Sequence, residues 1–289
     1  MKIAVVSGKG GTGKTTVSLS LASYLAENHT QVTYVDCDVE EPNGHLFLHP
    51  SIEHTKTVGI PIPVVDSALC DGCGKCGEIC RFSAIVVITS KVLIFPELCK
   101  GCGGCSLVCP QKAIQESPQE VGIVERGSAN GIGYLAGKLK IGQASAVPII
   151  RDIKRTLPDG GTVILDAPPG TSCPVIETGK DCDFVVLVTE PTPFGLHDLI
   201  LASEMVEQIG IPQGIVLNRA SWNNELIYKF CQKKHVDLIA EIPDDRRIAT
   251  AYSRGEILID TLPEYKVQFA DILHKIEHRV QQMNILKNS

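Results

Sequence analysis

No basic run interrupts this sequence, and its formal charge at pH 7 is −6 over 289 residues. A protein that grips nucleic acid through phosphates needs clustered Lys and Arg, so general nucleic-acid binding is not expected. Long apolar runs are missing too. No stretch approaches the roughly 20 residues a helix needs to cross a bilayer. The opening residues, M-K-I-A-V-V-S-G-K-G, have too short an apolar run and no cleavage pattern for a secretory signal. These absences predict a cytoplasmic chain with no stable membrane association. Its length suits about two domains and a sizeable core.

Cysteine, by contrast, is plentiful at 12 residues. Eight fall into two runs, Cys70, Cys73, Cys76 and Cys80, then Cys99, Cys102, Cys105 and Cys109. Each run has the spacing C-x2-C-x2-C-x3-C, the bacterial pattern for a [4Fe–4S] site. The runs lie 29 residues apart, and in that register Gly72/Gly101, Gly74/Gly103, Ala84/Ala113 and Ile85/Ile114 also match, which marks an internal repeat. Three closely spaced thiolates can wrap one face of a cubane only on a tight, small-sided loop, hence the glycines. In two-cluster ferredoxins the fourth cysteine ligates the other cluster. The expected ligand sets are therefore Cys70, Cys73, Cys76 and Cys109 for one cluster, and Cys99, Cys102, Cys105 and Cys80 for the other. Zinc and disulfides are the competing readings. Two matching four-cysteine runs disfavour zinc, and a reducing compartment disfavours disulfides. One asymmetry stands out: Pro110 follows Cys109, whereas Arg81 follows Cys80.

The chain begins with a buried-strand pattern over 2–7, then Gly8-Lys9-Gly10-Gly11-Thr12-Gly13-Lys14-Thr15-Thr16, then a helical pattern to about Asn28. Strand, G-x-x-x-x-G-K-[ST], helix is a phosphate-binding loop in its proper context. Gly8 and Gly13 bracket it. Its N–H groups and the helix N-terminus face phosphate, Lys14 reaches the β/γ-phosphates, and the Thr15 hydroxyl ligates Mg²⁺. A second strand, Q-V-T-Y-V-D, ends in Asp36-Cys37-Asp38-Val39-Glu40-Glu41-Pro42-Asn43, at the edge where open parallel sheets bind ligands. Farther on, T-V-I-L-D-A-P-P-G ends in Asp166, a Walker B acid for Mg²⁺.

K-G-G-T-G-K-T-T, with its early Lys9, resembles the deviant phosphate loop of the MinD/Mrp/ParA and nitrogenase-iron-protein ATPases. The resemblance extends over nearly the whole chain and implies several roles. Lys9 would act in trans on the ATP of a partner in a nucleotide-sandwich dimer. The D-x-D-x4-N pattern over 36–43 is similar to the family's first switch: Asp38 would orient or deprotonate the attacking water, Asp36 would support the Mg²⁺ shell, and Asn43 would lie near the dimer face. D-A-P-P-G is similar to the family's second switch, with Gly170 donating its N–H to the γ-phosphate. Asn218, Pro243 and Asp245 would recognise the adenine. Cys173 matches the position of one bridging cluster cysteine in the nitrogenase iron protein, but a second is missing, so a small buried thiol is expected there.

The expected fold is α/β: a mostly parallel, doubly wound sheet from residues 1–60 and 118–289. The pattern breaks around Gly59-Ile60-Pro61-Ile62-Pro63, and a small α+β ferredoxin-like insert occupies 61–117, its Thr-Ser-Lys hairpin at 85–95 joining the two cysteine loops. The insert carries five acids and five bases. The glycine-rich segment 127–142 reads as a surface loop. A final helix near 264–283 has Phe269, Ile272, Leu273, Ile276, Val280 and Met283 on one face, suited to packing on the core. The implied cofactors are ATP or ADP, Mg²⁺ and two [4Fe–4S] clusters. The implied assembly is an ATP-dependent homodimer or a heterodimer with a paralogue. The resemblance implies slow, partner-stimulated ATP hydrolysis, and the placement of both cysteine runs on the connection between the two γ-phosphate switches leads to the expectation that nucleotide state is coupled to electron transfer. Its alternatives are an iron–sulfur carrier that hands clusters to apoproteins, and a positioning ATPase.

Overall fold

Strand β1 (Lys2–Val6) is buried along Ile3 to Val6, as an unbroken apolar run requires of a strand covered on both faces. The computed structural model describes residues 1–221 and 224–288. After β1 come α1 (Lys14–Glu27), β2 (Val32–Asp36), the single turn α2 (His45–Leu48), β3 (Ser51–Val65), α3 (Lys75–Ile79), β4 (Ile85–Ile88), β5 (Lys91–Ile94), α4 (Gly104–Val108) and β6 (Ile114–Ala129). The second half holds β7 (Ile132–Leu139), α5 (Val147–Arg155), β8 (Thr162–Asp166), α6 (Cys173–Gly179), β9 (Phe184–Thr189) and α7 (Pro193–Ile209). It ends with β10 (Gln213–Ala220), α8 (Glu225–Lys234), β11 (Asp237–Pro243), α9 (Arg246–Ser253), α10 (Leu258–Thr261) and α11 (Lys266–Asn288).

One sheet runs in the order β11-β10-β9-β1-β8-β2-β7-β6-β3. Every pairing from β11 to β7 is parallel, and the β7–β6 and β6–β3 pairings are antiparallel. Helices cover both faces. One core joins Ile149, Ile150 and Ile153 of α5 with Val175, Leu199 and Ile227. The other joins Val17 and Leu21 of α1 with Ile259 and with Phe269, Ile272 and Ile276 of α11. The last helix thus packs on the core, as its apolar face predicts. Among the described residues no helix is long and apolar enough to cross a membrane.

Two sequence expectations need correction. The segment 127–142 is not a surface loop: it contains the end of β6, a turn, and β7, which lies inside the sheet beside β2. Asn130 and Gly131 both have positive φ, 50° and 79°, the turn that suits the twist of a two-residue hairpin. Glycine at 137 is a packing requirement, because a Cβ there would strike Val39 and Ile149. Nor does the chain break at Gly59–Pro63. Strands β3 and β6 pair from Ser51↔Ser128 to Val65↔Ile114, straight through the expected boundaries at 60/61 and 117/118. Pro61 and Pro63 fit because β3 is the edge strand, where a missing N–H breaks no inner ladder.

This ribbon carries the cysteine segment. Beyond Gly122, the last β6 residue paired to β7, β3 and β6 continue outward alone and end at α3, the β4–β5 hairpin and α4. The hairpin turns at Thr89 and Ser90, both at positive φ. Because β6 is antiparallel to β7, the ribbon projects from the carboxyl edge of the parallel strands. Register puts Thr55 level with Asp36, so Pro61 lies about 20 Å farther along the strand direction at ~3.3 Å per residue.

Candidate nucleotide cleft and cysteine cavities

The carboxyl ends of β1, β8 and β2 meet at one place. Asp166 pairs in register with both Val5 and Asp36, so the two acids sit side by side next to the phosphate loop. The loop spans from β1 to α1, and Gly13 precedes the helix at φ 96°. A Cβ at Gly13 would collide with the Asn218 amide, whose Nδ2 donates to the Thr12 carbonyl at 2.8 Å.

A cleft of about 400 Å³ opens here. It is lined by Gly10, Gly11, Gly13, Lys14, Thr15, Thr16, Asp38, Asn43, Asp166, Asn218, Pro243 and Asp245 from the sequence-derived set. Lys14 is buried and acts electrostatically on both Asp38 and Asp166. Burial pushes Asp38 up to about 6, against the Glu41 N–H and the Lys14 ammonium, which favour its charged form. Burial also raises Asp166, against the Lys14 ammonium and the nearby hydroxyls of Thr15, Tyr34 and Ser18, which favour its charged form; its buried Oδ1 accepts no hydrogen bond of normal geometry. The Asp166 oxygen and the Thr15 hydroxyl beside it are the hard oxygen donors a phosphate-bound Mg²⁺ takes, and Lys14 is placed for phosphate rather than for the ion, so these residues fit it.

Five members of the set take other positions. Gly8 packs against the Asp198 backbone. Thr12 is buried, with its carbonyl engaged by Asn218. The Asp36 carboxylate is buried and accepts the N–H groups of Asp38 (3.1 Å), Asn43 (3.0 Å) and Gly44 (2.9 Å), so it clasps the 38–44 loop rather than facing the cleft. The N–H of Gly170, at φ 97°, donates to the Ser7 carbonyl at 3.0 Å. Lys9 makes an ion pair with Glu190 of its own chain, and Arg219 bonds the same carboxylate at 3.1 Å.

The end of the cleft expected to take the base differs in detail from expectation. Asp245 lines the cleft, but its carboxylate caps α9 through the Arg247 N–H, bonds the Arg247 side chain and accepts from Tyr265. Arg247 holds it well below the usual carboxylate range. Ile248, Ala249 and Tyr252 of α9 supply an apolar wall that sequence reasoning missed. Their spacing was the available signal, since Tyr252 lies four residues after Ile248 and three after Ala249, the separations that bring side chains together on a helix. Cys173 is exposed at the start of α6, not buried as expected.

The eight repeat cysteines rim two cavities. One is lined by Cys70, Cys73, Cys76 and Cys109, with Val65 and Ile114. The other is lined by Cys99, Cys102, Cys105 and Cys80, with Pro61, Pro63 and Glu116. Among the described residues no three His, Cys, Asp or Glu side chains close on a single metal-ion position. All four repeat glycines have positive φ, from 63° to 84°, which lets each loop curl around its cavity. The N–H of Ala84 donates to Cys80 Sγ and that of Ala113 to Cys109 Sγ, both at 3.3 Å. Burial raises Cys80, but the N–H groups of Phe82, Ile85, Ala84 and Ser83 outweigh it and bring the thiol below its ordinary value. Amide donors aimed at Cys80 and Cys109 favour thiolate there, whereas burial raises Cys76 and Cys105; the grouping of the eight thiols four and four around two cavities is the donor set that fits iron–sulfur ligation.

The cavities sit differently. The Cys99 loop rests on the main domain: Ile94 and Cys99 pack on its core, Gly101 abuts Ile60 and Pro61, and Lys100 Nζ donates to the Ala144 carbonyl at 2.9 Å. The other cavity lies farther out, over Val65 and Ile114 at the ribbon's end.

Residues 3–259 match the model of the CobQ/CobB/MinD/ParA nucleotide binding domain. An uncharacterized protein of Methanocaldococcus jannaschii is 33% identical over 264 residues, covering 89% of this chain and 90% of that protein. An iron-sulfur cluster carrier protein of Pyrococcus horikoshii is 24% identical over 304 residues, covering 98% of this chain and 87% of the carrier. Among solved structures, the septum site-determining protein MinD of Pyrococcus horikoshii, complexed with Mg-ADP, superposes with a TM-score of 0.58 at 20% identity, over 99% of this chain and 98% of that one.

Proposed function

Given that this chain belongs to the CobQ/CobB/MinD/ParA family of nucleotide-binding domains, we propose that it is a dimeric, ATP-hydrolysing switch whose inserted domain carries two [4Fe–4S] clusters, and that nucleotide state governs electron transfer through them. The observation that carries this reading is the shared edge: the ribbon bearing the cysteines leaves the carboxyl edge of the sheet, where the nucleotide cleft also opens. Closure of a dimer across that edge would move the 38–44 loop, which leads through α2 into β3 and so to the insert.

The residues divide the work as follows. Lys14 and the N-terminus of α1 face the β- and γ-phosphates. Thr15 and Asp166 would hold Mg²⁺, which neutralises phosphate charge. Asp38, at the cleft wall, orients the attacking water and accepts its proton. The Gly170 N–H must leave the Ser7 carbonyl to reach the γ-phosphate, so its loop moves with hydrolysis. Lys9 must leave Glu190 to reach a partner's nucleotide. Asp36 holds the first switch loop, which leads through α2 into β3 and hence to the insert. Cys70, Cys73, Cys76 and Cys109 would hold the outer cluster, and Cys99, Cys102, Cys105 and Cys80 the inner one. When bound, the clusters supply one-electron redox chemistry.

An anaerobic redox titration followed by EPR, run without nucleotide, with Mg·ADP and with a non-hydrolysable Mg·ATP analogue, tests this reading. A shift of about 60 mV in a one-electron couple is the expected scale, equal to about 1.4 kcal/mol of coupling. Potentials and transfer rates that ignore nucleotide would overturn it.

A second reading, an iron–sulfur carrier, is favoured by the similarity to the archaeal carrier protein and by the exposure of Cys73 and Cys102. Rapid, ATP-dependent delivery of both clusters to an apo-ferredoxin would move the assignment there; clusters that stay bound through turnover exclude it.

A further inference from the structure

Tyr34 is an odd residue to find in the middle of β2. It is fully buried, and its hydroxyl donates to Asp166 Oδ2 at 3.0 Å. The other oxygen of that acid, Oδ1, is the buried acceptor without a partner. The phenol also touches the first switch loop. A Cβ on Gly44 would fall within 3 Å of the Tyr34 Cε1, Cζ and hydroxyl. Gly44 itself has φ −57°, a conformation open to any residue, so the Tyr34 ring is what keeps this position without a side chain. The N–H of Gly44 donates to Asp36, which closes the loop against the same ring. On its far side Tyr34 stacks on Tyr134 of β7, with ring centroids 6.3 Å apart.

We infer that Tyr34 is a positioning residue for Asp166: it holds Oδ2 so that Oδ1 faces the Mg²⁺ position, and through Gly44 it ties that position to the first switch loop. The inference rests on the reading of Asp166 as the Mg²⁺ acid. A carboxylate that must present one oxygen to a cation needs its other oxygen fixed, and neutral donors do this without competing for the cation. In Tyr34 the donor is rigid, dry and locked between β7 and the Gly44 backbone. A displacement of Gly44 therefore displaces the donor, and cation binding at Asp166 favours the loop position that seats it. The Tyr134 hydroxyl is buried without a partner, so Tyr134 contributes its ring and not its polarity.

The test is the Mg²⁺ dependence of nucleotide binding by the full chain, read with a fluorescent non-hydrolysable ATP analogue from EDTA to saturating Mg²⁺. Tyr34→Phe should raise the half-saturating Mg²⁺ concentration about tenfold, the usual effect of losing a group that orients a metal ligand. Its affinity in EDTA should match the wild type. Tyr134→Phe should leave both values unchanged. Gly44→Ala should raise half-saturating Mg²⁺ on its own and add nothing in the Tyr34→Phe background, because the donor it displaces is already gone. Thermal melting in EDTA shows that each variant is folded. A wild-type Mg²⁺ curve for Tyr34→Phe, an equal loss of affinity with and without Mg²⁺, or full additivity with Gly44→Ala overturns the inference while leaving Asp166 in its role. A wild-type affinity that ignores Mg²⁺ overturns the reading of Asp166, and the inference with it.

Discussion

Lys9 is bound to Glu190 of its own chain, and Arg219 shares the same carboxylate. The proposed action of Lys9 on a partner's nucleotide therefore requires its release from a carboxylate whose side chain is 12% exposed. Arg219 sits at φ 52°, an uncommon conformation for arginine, and remains to neutralise Glu190 once Lys9 departs. Glu190→Gln should weaken the hold on Lys9 by about 1 kcal/mol and so tighten the ATP-dependent dimer roughly fivefold. Sedimentation velocity with a non-hydrolysable ATP analogue measures this. A dimer no tighter than wild type would show that the ion pair does not restrain Lys9.

The crossed arrangement of the cysteines gives a second prediction. Cys109 lines the cavity of Cys70, Cys73 and Cys76, and Cys80 lines the cavity of the later run. In the anaerobically loaded chain, Cys109→Ser and Cys73→Ser should alter the same EPR signal. Cys80→Ser and Cys102→Ser should alter the other. If Cys109→Ser and Cys102→Ser changed one signal together, each run would be closing its own cluster and the crossed assignment would be wrong.

The grouping of the phosphate-loop residues in one cleft and of the cysteines around two cavities was legible because the expected chemistry constrains residue type at fixed spacing. A phosphate loop needs glycines, a lysine and a hydroxyl in order, and a cubane needs thiols on tight turns. What the sequence hid was set by tertiary packing. Strand β7 looked like a loop because Gly133 and Gly137 dilute its apolar pattern; Gly137 is demanded by Val39 and Ile149, which come from other elements. The Asn130-Gly131 pair was a hairpin signal in plain view. The prolines at 61 and 63 suggested a break because nothing in the sequence says that β3 is an edge strand. Asp36, Lys9 and Gly170 were recognised as residue types, yet their present partners, the 38–44 backbone, Glu190 and Ser7, depend on how distant segments meet.

Burial, with the neighbouring Asp166 carboxylate second, pushes Asp36 up to about 8. In the unfolded chain an aspartate titrates near 4, at about 3.9. Between those values the folded chain keeps a proton that the unfolded chain has lost. This group's contribution to stability is therefore full below pH ~4 and declines as pH rises toward about 8. Asp36→Asn cannot titrate. The urea midpoint of the nucleotide-free wild type should fall more steeply from pH 5 to 8 than that of the variant. Parallel slopes would mean that Asp36 is already ionised in the fold.

Two glycines of the corrected segment separate packing from backbone conformation. A Cβ at Gly137 would run into Val39 and Ile149, whereas one at Gly131 would meet nothing within 4 Å but must accept φ 79°. Gly137→Ala should destabilise the chain by about 1–3 kcal/mol through overpacking. Gly131→Ala should cost about 1 kcal/mol through backbone strain. Asparagine distinguishes the two causes, because it tolerates left-handed backbone but is larger than alanine. Gly131→Asn should recover most of the loss seen with Ala, while Gly137→Asn should be worse than Gly137→Ala. Val39→Ala should partly rescue Gly137→Ala by removing one of the colliding methyls, and should not rescue Gly131→Ala. Chemical denaturation of the six variants decides the matter. If Asn were the better substitute at both positions, β7 would not be seated against Val39, and 127–142 would be the surface loop its composition suggests.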